Sequence, residues 1–341
     1  MAGMDVFNSN AFSMTSLTAA IETGPYKPRL LGELGVFEQV PIRSTTAWVE
    51  KKNGKLAILN TTSRGAINNV RSPSTRTGIN LRIPHVPYFQ SVLADDVQNI
   101  RAFGSETELM GVAEYVNDQL IAMKNDHEVT HEFHRIGALK GIVYDGDNST
   151  VIYNLQTEFG LNIQTEDWTT SATSYAPTVS GAIRKIANKL GNESFSRVVC
   201  LCGDTYFDNV VKHSSMSAAY DRWRDGEFLR MSHLGPGWYA AATAGFQYQN
   251  VLFINYRGTI GDVTFIPATK AYFFPVGVPG LFQEIIAPAD FMETVNTKGR
   301  KYYAKMEPLP FDKGMQLHTQ SNVLPICTRP DCVVESTVTV A

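Results

Sequence analysis

Among the residues able to do chemistry, the run His127-Glu128-Val129-Thr130-His131 stands out, because it has the form His-Glu-x-x-His. On a helix, side chains at i and i+4 share a face. His127 and His131 could therefore hold a zinc ion while Glu128 acts as the general base of a metallopeptidase. A third ligand would have to be His134, one turn further on, or Glu158 downstream. The longer metallopeptidase signature needs Gly at 134 and His at 137, whereas this chain has His134 and Gly137. The same letters also describe a solvated helical stripe carrying three imidazoles. Cys200, Cys202, Cys327 and Cys332 are a second possible ligand set. Their CxC and CxxxxC spacings are not those of a usual structural zinc site, and small, buried, reduced side chains are the simpler reading. Asp204, His213 and Asp221 can be drawn as an acid–base group, but a helix cap at Asp204 and surface charge account for the same residues. There is no G-x-S-x-G, Walker or G-x-G-x-x-G motif, and no cofactor is implied.

Charge is the other distinctive feature. Arg43, Lys51, Lys52, Lys55, Arg64, Arg71, Arg76 and Arg82 lie within forty residues that hold one acid, Glu50. This segment carries +7 in a chain of net charge −3, so the remainder sums to −10. It has too few large apolar residues for a core of its own. A basic flap of this kind should reach onto an acidic surface, either nucleic acid or another copy of the same protein. Lys51, Lys52, Lys55, Arg64, Arg71 and Arg76 are the contact residues this reading selects. Phe246, Tyr248, Phe253, Tyr256, Phe265, Tyr272, Phe273 and Phe274 could stack single-stranded bases. They lie far along the chain from the basic flap and fit core or interface packing better.

The elements around these groups must hold them in place. The helix that carries His127 opens with a capping box, Ser105-Glu106-Thr107-Glu108. Leu109, Val112, Val116, Leu120 and Met123 follow at spacings of three and four, and Gly137 and Gly141 supply the stop. Residues 105–136 should then form a rod of about 45 Å that needs packing on both sides. Before it, residues 1–35 read as an arm with a short helix near 16–22. Residues 45–52 and 55–62 read as strands joined by Asn53-Gly54, a strong hairpin signal, and 79–86 as a return strand.

After the rod, 141–143 and 151–153 flank the turn Asp145-Gly146-Asp147-Asn148, and 155–169 is ambiguous. Residues 178–190 form an amphipathic helix that Gly191 ends. The continuous apolar run 197–202 is a central strand. Helices are expected at 204–213 and 218–230, with a turn at Gly235-Pro236-Gly237-Trp238. Strands are expected at 246–256, 263–274, 300–306 and 333–340.

The 341 residues suffice for a sizeable core and two lobes. With 43% hydrophobic and 18% charged residues, the composition is that of a soluble globular protein. The net charge implies no global attraction to nucleic acid or membrane. No apolar run is long enough to span a bilayer. Nothing before Lys27 resembles a signal peptide, so the protein is expected to stay where it is made.

One stretch carries a family resemblance. Residues 271–282, Ala-Tyr-Phe-Phe-Pro-Val-Gly-Val-Pro-Gly-Leu-Phe, precede 287–291, Ala-Pro-Ala-Asp-Phe. Then come 295–299, Val-Asn-Thr-Lys-Gly, and 302–305, Tyr-Tyr-Ala-Lys. Together these resemble the tailed-bacteriophage major capsid proteins of the lambda E type, and the order of elements from about Gly35 onward is similar too. The resemblance implies an α+β chain with the HK97-like capsid fold. Residues 1–35 would be the N-terminal arm and 36–90 the extended β-hairpin E-loop. Residues 91–154 would be a P-domain built on the spine helix, and 155–270 the axial A-domain. Residues 271–341 would return to the P-domain and end in a strand. It implies assembly instead of catalysis: pentamers and hexamers closing into an icosahedral shell around phage DNA, which is contacted non-specifically. The implied partners are a separate scaffolding protein, a portal at one vertex and, in some heads, a decoration protein. The implied location is the virion, and the host cytoplasm during assembly. Some shells of this fold cross-link Lys to Asn, and Lys51, Lys52 and Lys55 lie near the flap tip, where solubility and pairing also explain them. A zinc metallopeptidase and a nucleic-acid-binding protein are the alternatives.

Overall fold

The computed structural model describes residues 30–52, 76–97, 112–170, 174–191, 193–225, 245–256, 259–260 and 263–339. The helix expected near 16–22, the strand at 55–62, the start of the rod at 105–111 and the turn at 235–238 lie outside these residues. The first described element is one helical turn, α1 (Leu30–Glu33). Strand β1 (Glu38–Pro41) follows, then β2 (Thr46–Lys52) and β3 (Arg76–Arg82). β2 and β3 form an antiparallel ribbon that runs from Thr46 opposite Arg82 to Lys52 opposite Arg76. Among the described residues the partner of β2 is β3; the run 55–62 just after Asn53-Gly54 lies outside them. The cause is burial: Ala47 and Val49 on β2, with Ile79, Leu81 and Ile83, pack against Ala138, Val143 and Leu324. A buried face of this kind sets strand register.

Strand β4 (Val86–Leu93) and one turn, α2 (Ala94–Val97), lead toward α3 (Val112–Leu139), a rod of 28 residues. The helix passes through Gly137 and stops at Gly141, which has φ +74°. Gly137 serves the return of the chain instead. A Cβ there would stand 2.9 Å from the Ile142 carbonyl oxygen and 3.0 Å from Val143 Cα. Alanine is the better helix former by about 1 kcal/mol, but forcing a methyl against main chain costs about 1–3 kcal/mol. Gly137→Ala should therefore lower stability by about 1 kcal/mol. A urea midpoint equal to or above wild type would show that the 142–143 backbone yields freely.

The expected hairpin is present as β5 (Ile142–Tyr144) and β6 (Val151–Asn154). Asp147 ties its turn by accepting from the amides and hydroxyls of Ser149 and Thr150. The ambiguous stretch resolves into α4 (Leu155–Phe159), β7 (Gln164–Thr165) and β8 (Trp168–Thr169). Then come α5 (Ala176–Leu190), β9 (Arg197–Cys202), α6 (Asp204–Lys212) and α7 (Ser214–Asp225). The long strand expected at 246–256 is a hairpin of β10 (Gly245–Tyr248) and β11 (Val251–Asn255). Gln249 and Asn250 make its turn at positive φ. A short pair, β12 (Thr259–Ile260) and β13 (Val263–Thr264), precedes β14 (Lys270–Val276) and β15 (Phe282–Ile286). The chain continues as β16 (Tyr303–Pro308), β17 (Gly314–Ser321), β18 (Val323–Cys327) and β19 (Val334–Thr339).

The largest sheet has the order β10-β11-β9-β14-β19-β7, with β8 also paired to β19. The apolar run β9 lies inside it, parallel to β11 and antiparallel to β14, as its burial on both faces requires. Phe246, Phe253, Phe273 and Phe274 are fully buried in its core, Tyr256, Phe265 and Tyr272 nearly so, and Tyr248 packs at the margin. The division expected at 270/271 runs through this sheet. β14 is apolar on both faces and finds cover only beside β9, so residues 270–276 and 334–339 lie with the strands of 197–255. A second sheet, β16-β17-β4, places Val92, Ala304 and Leu317 against Val116, Leu120 and Met123 of α3. The third, β1-β15-β18, lies along the C-terminal half of α3.

Candidate functional site

The face of α3 that meets the second sheet is one continuous stripe. Val116, Leu120 and Met123 lead into His127, His131 and His134 at the same three- and four-residue spacing, and all six are buried. The histidines therefore do not form a solvated stripe; they face the sheet. His127 Nε2 lies 3.0 Å from Thr319 Oγ1 of β17, and His131 Nε2 lies 2.9 Å from Ser321 Oγ. Glu128, the expected base, is 3% exposed and is held by Lys301 at 2.7 Å and Arg135 at 3.7 Å. Each of its carboxylate oxygens thus faces a cation, Oε1 toward Lys301 and Oε2 toward Arg135. Glu158 stands exposed on α4, and no group of three or more His, Cys, Asp or Glu among the described residues is arranged to hold a metal.

What the sequence reading missed lies one turn along. Arg135 donates from Nε to Glu284 at 2.5 Å and from Nη1 to Glu132 at 3.1 Å, and its Nη2 faces Glu128. Glu132 is fully buried and saturated with donors. It accepts from the amides of Leu31 at 2.9 Å and Gly32 at 3.3 Å, and from the Tyr256 hydroxyl at 3.3 Å. One cluster thus joins five parts of the chain: α1, α3, β15, the large-sheet end at Tyr256, and Lys301 before β16. Burial works against the Arg135 charge, but Glu284, Glu132 and Glu128 outweigh it and push its pKa up. The signal was available, because Glu128, Glu132 and Arg135 share a helical face with His131.

The remaining candidates separate. Asp204 opens α6 behind Gly203, which holds the cap position, and His213 follows the end of the same helix, about 13 Å away. His213 Nδ1 pairs with Ser215 Oγ at 2.7 Å, and Asp221 is exposed on α7, so no acid–base group forms. All four cysteines are buried and unpaired by disulfide. Burial pushes the Cys200 thiol well up and Cys332 up to about 12, which leaves both poor nucleophiles.

Of the basic flap, Lys51, Lys52 and Arg76 lie at the far end of the β2–β3 ribbon, where their backbones pair, and Arg43 and Arg82 are exposed at its root. Lys55, Arg64 and Arg71 fall outside the described residues. Trp48 on the ribbon is 64% exposed. The sheet β16-β17-β4 turns its other face outward, with Phe89 stacked on His318 at 4.1 Å. Around that face Phe311 is 91% exposed, Met292 89%, and Val295 and Leu93 are also open. Phe311 holds a left-handed φ of 64°, which is strained for a bulky residue. Asp95, Asp96, Glu293 and Glu307 are exposed near the same sheet, so apolar residues stand beside acids.

The family described as phage major capsid protein E matches residues 13–338. The major capsid protein of Pseudomonas phage KPP10 is 25% identical over 342 residues, covering 96% of this chain and 97% of that protein. In fold, the chain is similar to a protein assigned as the capsid protein of a prophage of E. coli CFT073. The TM-score is 0.62 and the identity 13%, over 96% of this chain and 99% of the other. It is also similar to the mature capsid subunit of bacteriophage PhiM1, with a TM-score of 0.53 and 12% identity over 93% and 88% of the two chains.

Proposed function

The chain belongs to the phage major capsid protein E family, and from that premise we propose how this subunit builds its shell. It is a phage major capsid protein with an HK97-like fold that forms the head shell of the virion, and its work is structural, not enzymatic. The basic flap, residues 43–82, reaches from one copy onto the outward face of β16-β17-β4 in the next. The observation that carries this reading is complementarity. A segment of +7 with an exposed Trp48 meets exposed apolar residues with Asp95, Asp96 and Glu307 nearby. Lys51, Lys52, Lys55, Arg64, Arg71 and Arg76 supply the charge.

Repeated around closed symmetry, this contact yields pentamers and hexamers, and many weak contacts acting together close an icosahedral shell around non-specifically held DNA. The large sheet forms the axial A-domain at the capsomer centre, with α3 as spine of the P-domain. A scaffolding protein, a portal and, in some heads, a decoration protein complete assembly in the host cytoplasm. None of the described helices is long and apolar enough to cross a membrane. Electron microscopy of the purified protein tests the reading. Five- and six-fold capsomers with the flap lying over a neighbour are expected. Monomers that stay apart at high concentration, with the flap folded on their own body, would overturn it.

A further inference from the structure

We propose that the seam between α3 and β17 is an acid-sensitive latch. His127 and His131 fasten the helix to the sheet only as neutral rings, and protons taken up by the histidine stripe open the seam. The geometry fixes the protonation of the central ring. Ser321 donates its single hydroxyl proton to the Lys301 carbonyl at 2.5 Å, so toward His131 it can only accept. His131 Nε2 therefore carries the hydrogen, and Nδ1 is left bare. Among the described residues that Nδ1 has no hydrogen-bond partner, nor has either ring nitrogen of His134. A second proton on His131 would thus point into the buried seam toward no acceptor among the described residues. Tyr302 Oη, His318 Nε2 and Gln320 Oε1 along the same seam are also unpartnered, so few polar contacts hold it shut.

The charged and titratable groups facing the stripe come from every neighbouring element. Lys124, Glu128, Glu132 and Arg135 lie on α3 itself. Lys301 and Tyr302 approach from the turn before β16, His318 from β17, Tyr88 from β4 and Asp145 from the β5–β6 hairpin. The acids cannot offset the cost. Glu128 and Glu132 are committed to Arg135, and Glu128 also to Lys301. Burial lowers the His127 pKa to about 4 against a partial pull from Glu128, and lowers His134 to about 4 against Asp145. His131 is driven well down by burial, then by Lys301, Arg135 and its two neighbouring rings.

These folded values lie below the ordinary 6.5. The stability that the neutral rings provide is therefore complete above about pH 6.5 and is lost as pH falls from there toward about 4. Each ring that charges only in the open seam raises the open population by up to about tenfold per pH unit in that window.

Hydrogen exchange resolved by peptide, on the full-length protein at pH 7, 6 and 5 and corrected for intrinsic rates, reads the opening directly. Exchange in 124–136 and 314–321 should rise at least tenfold from pH 7 to 5, while the β9 strand stays constant. Gln keeps a donor near the Nε2 position but does not titrate, so His127→Gln with His131→Gln should flatten the rise. An unchanged pH slope in that variant would overturn the latch. Should the double variant fail to fold, C2-hydrogen exchange of the three rings in the wild-type protein decides. Midpoints below 5 support the latch, and midpoints near 6.5 end it.

Discussion

Arg135→Leu should lower the stability of the subunit by about 3–5 kcal/mol, read as a fall in urea midpoint at constant slope. The reason is what stays behind. Glu128, Glu132 and Glu284 are each 3% exposed or less, and Arg135 is the cation all three share. With leucine in its place, Lys301 still neutralises Glu128, but Glu284 loses its 2.5 Å partner and Glu132 keeps only neutral donors. A buried carboxylate without a counter-charge must either take up a proton or draw in water. Arg135→Lys retains the charge but not the fork, so it should fall between leucine and wild type. Glu284→Gln removes one carboxylate and leaves two on Arg135, so it should cost less than Arg135→Leu. A loss below about 1 kcal/mol for Arg135→Leu would mean that the carboxylates find other partners easily and that the five joined segments are held by apolar packing alone.

Lys51→Glu, Lys52→Glu and Lys55→Glu made together should cut the yield of closed shells at least tenfold. The soluble subunit should keep its circular dichroism and its unfolding midpoint. The three changes take the flap from +7 to +1 and turn attraction to an acidic neighbour into local repulsion. A loss of about 1.4 kcal/mol weakens a single contact tenfold. Reversing three exposed pairs can supply that even after screening, and a shell compounds it over many contacts. Wild-type assembly should also weaken as salt rises, and the triple variant should respond less. Sedimentation velocity separates shells, capsomers and subunits. Normal shell yield would remove the flap from the intersubunit contact.

Much of this architecture was legible in the residues. The run 197–202 reads as an inner strand because every residue in it is apolar or small apart from Arg197, and β9 is flanked on both sides. The Asp147 turn and the Gly191 stop are local chemistry and fall where expected. β2 takes its register from the apolar residues of β3, while the Asn53-Gly54 hairpin lies outside the described residues. The strand expected at 246–256 breaks because Gln249 and Asn250 accept left-handed backbone, which a run of aromatics conceals. The histidines were the hardest case. Their spacing shows that they share a face, but spacing cannot say whether that face meets metal, water or a sheet. Only the position of Thr319 and Ser321, nearly two hundred residues away, decides it.

The position of β19 has a consequence for biogenesis. Val334–Thr339 joins β14 on one side to β7 and β8 on the other, yet it leaves the ribosome after every other strand named above. Until it arrives, β14 and the 164–169 strands have no common neighbour, and Val334 and Val338 have no cover to give. A nascent chain therefore remains an unfinished tile while it is still being translated. Products that stop before Val334 lack the strand that joins β14 to β7 and β8.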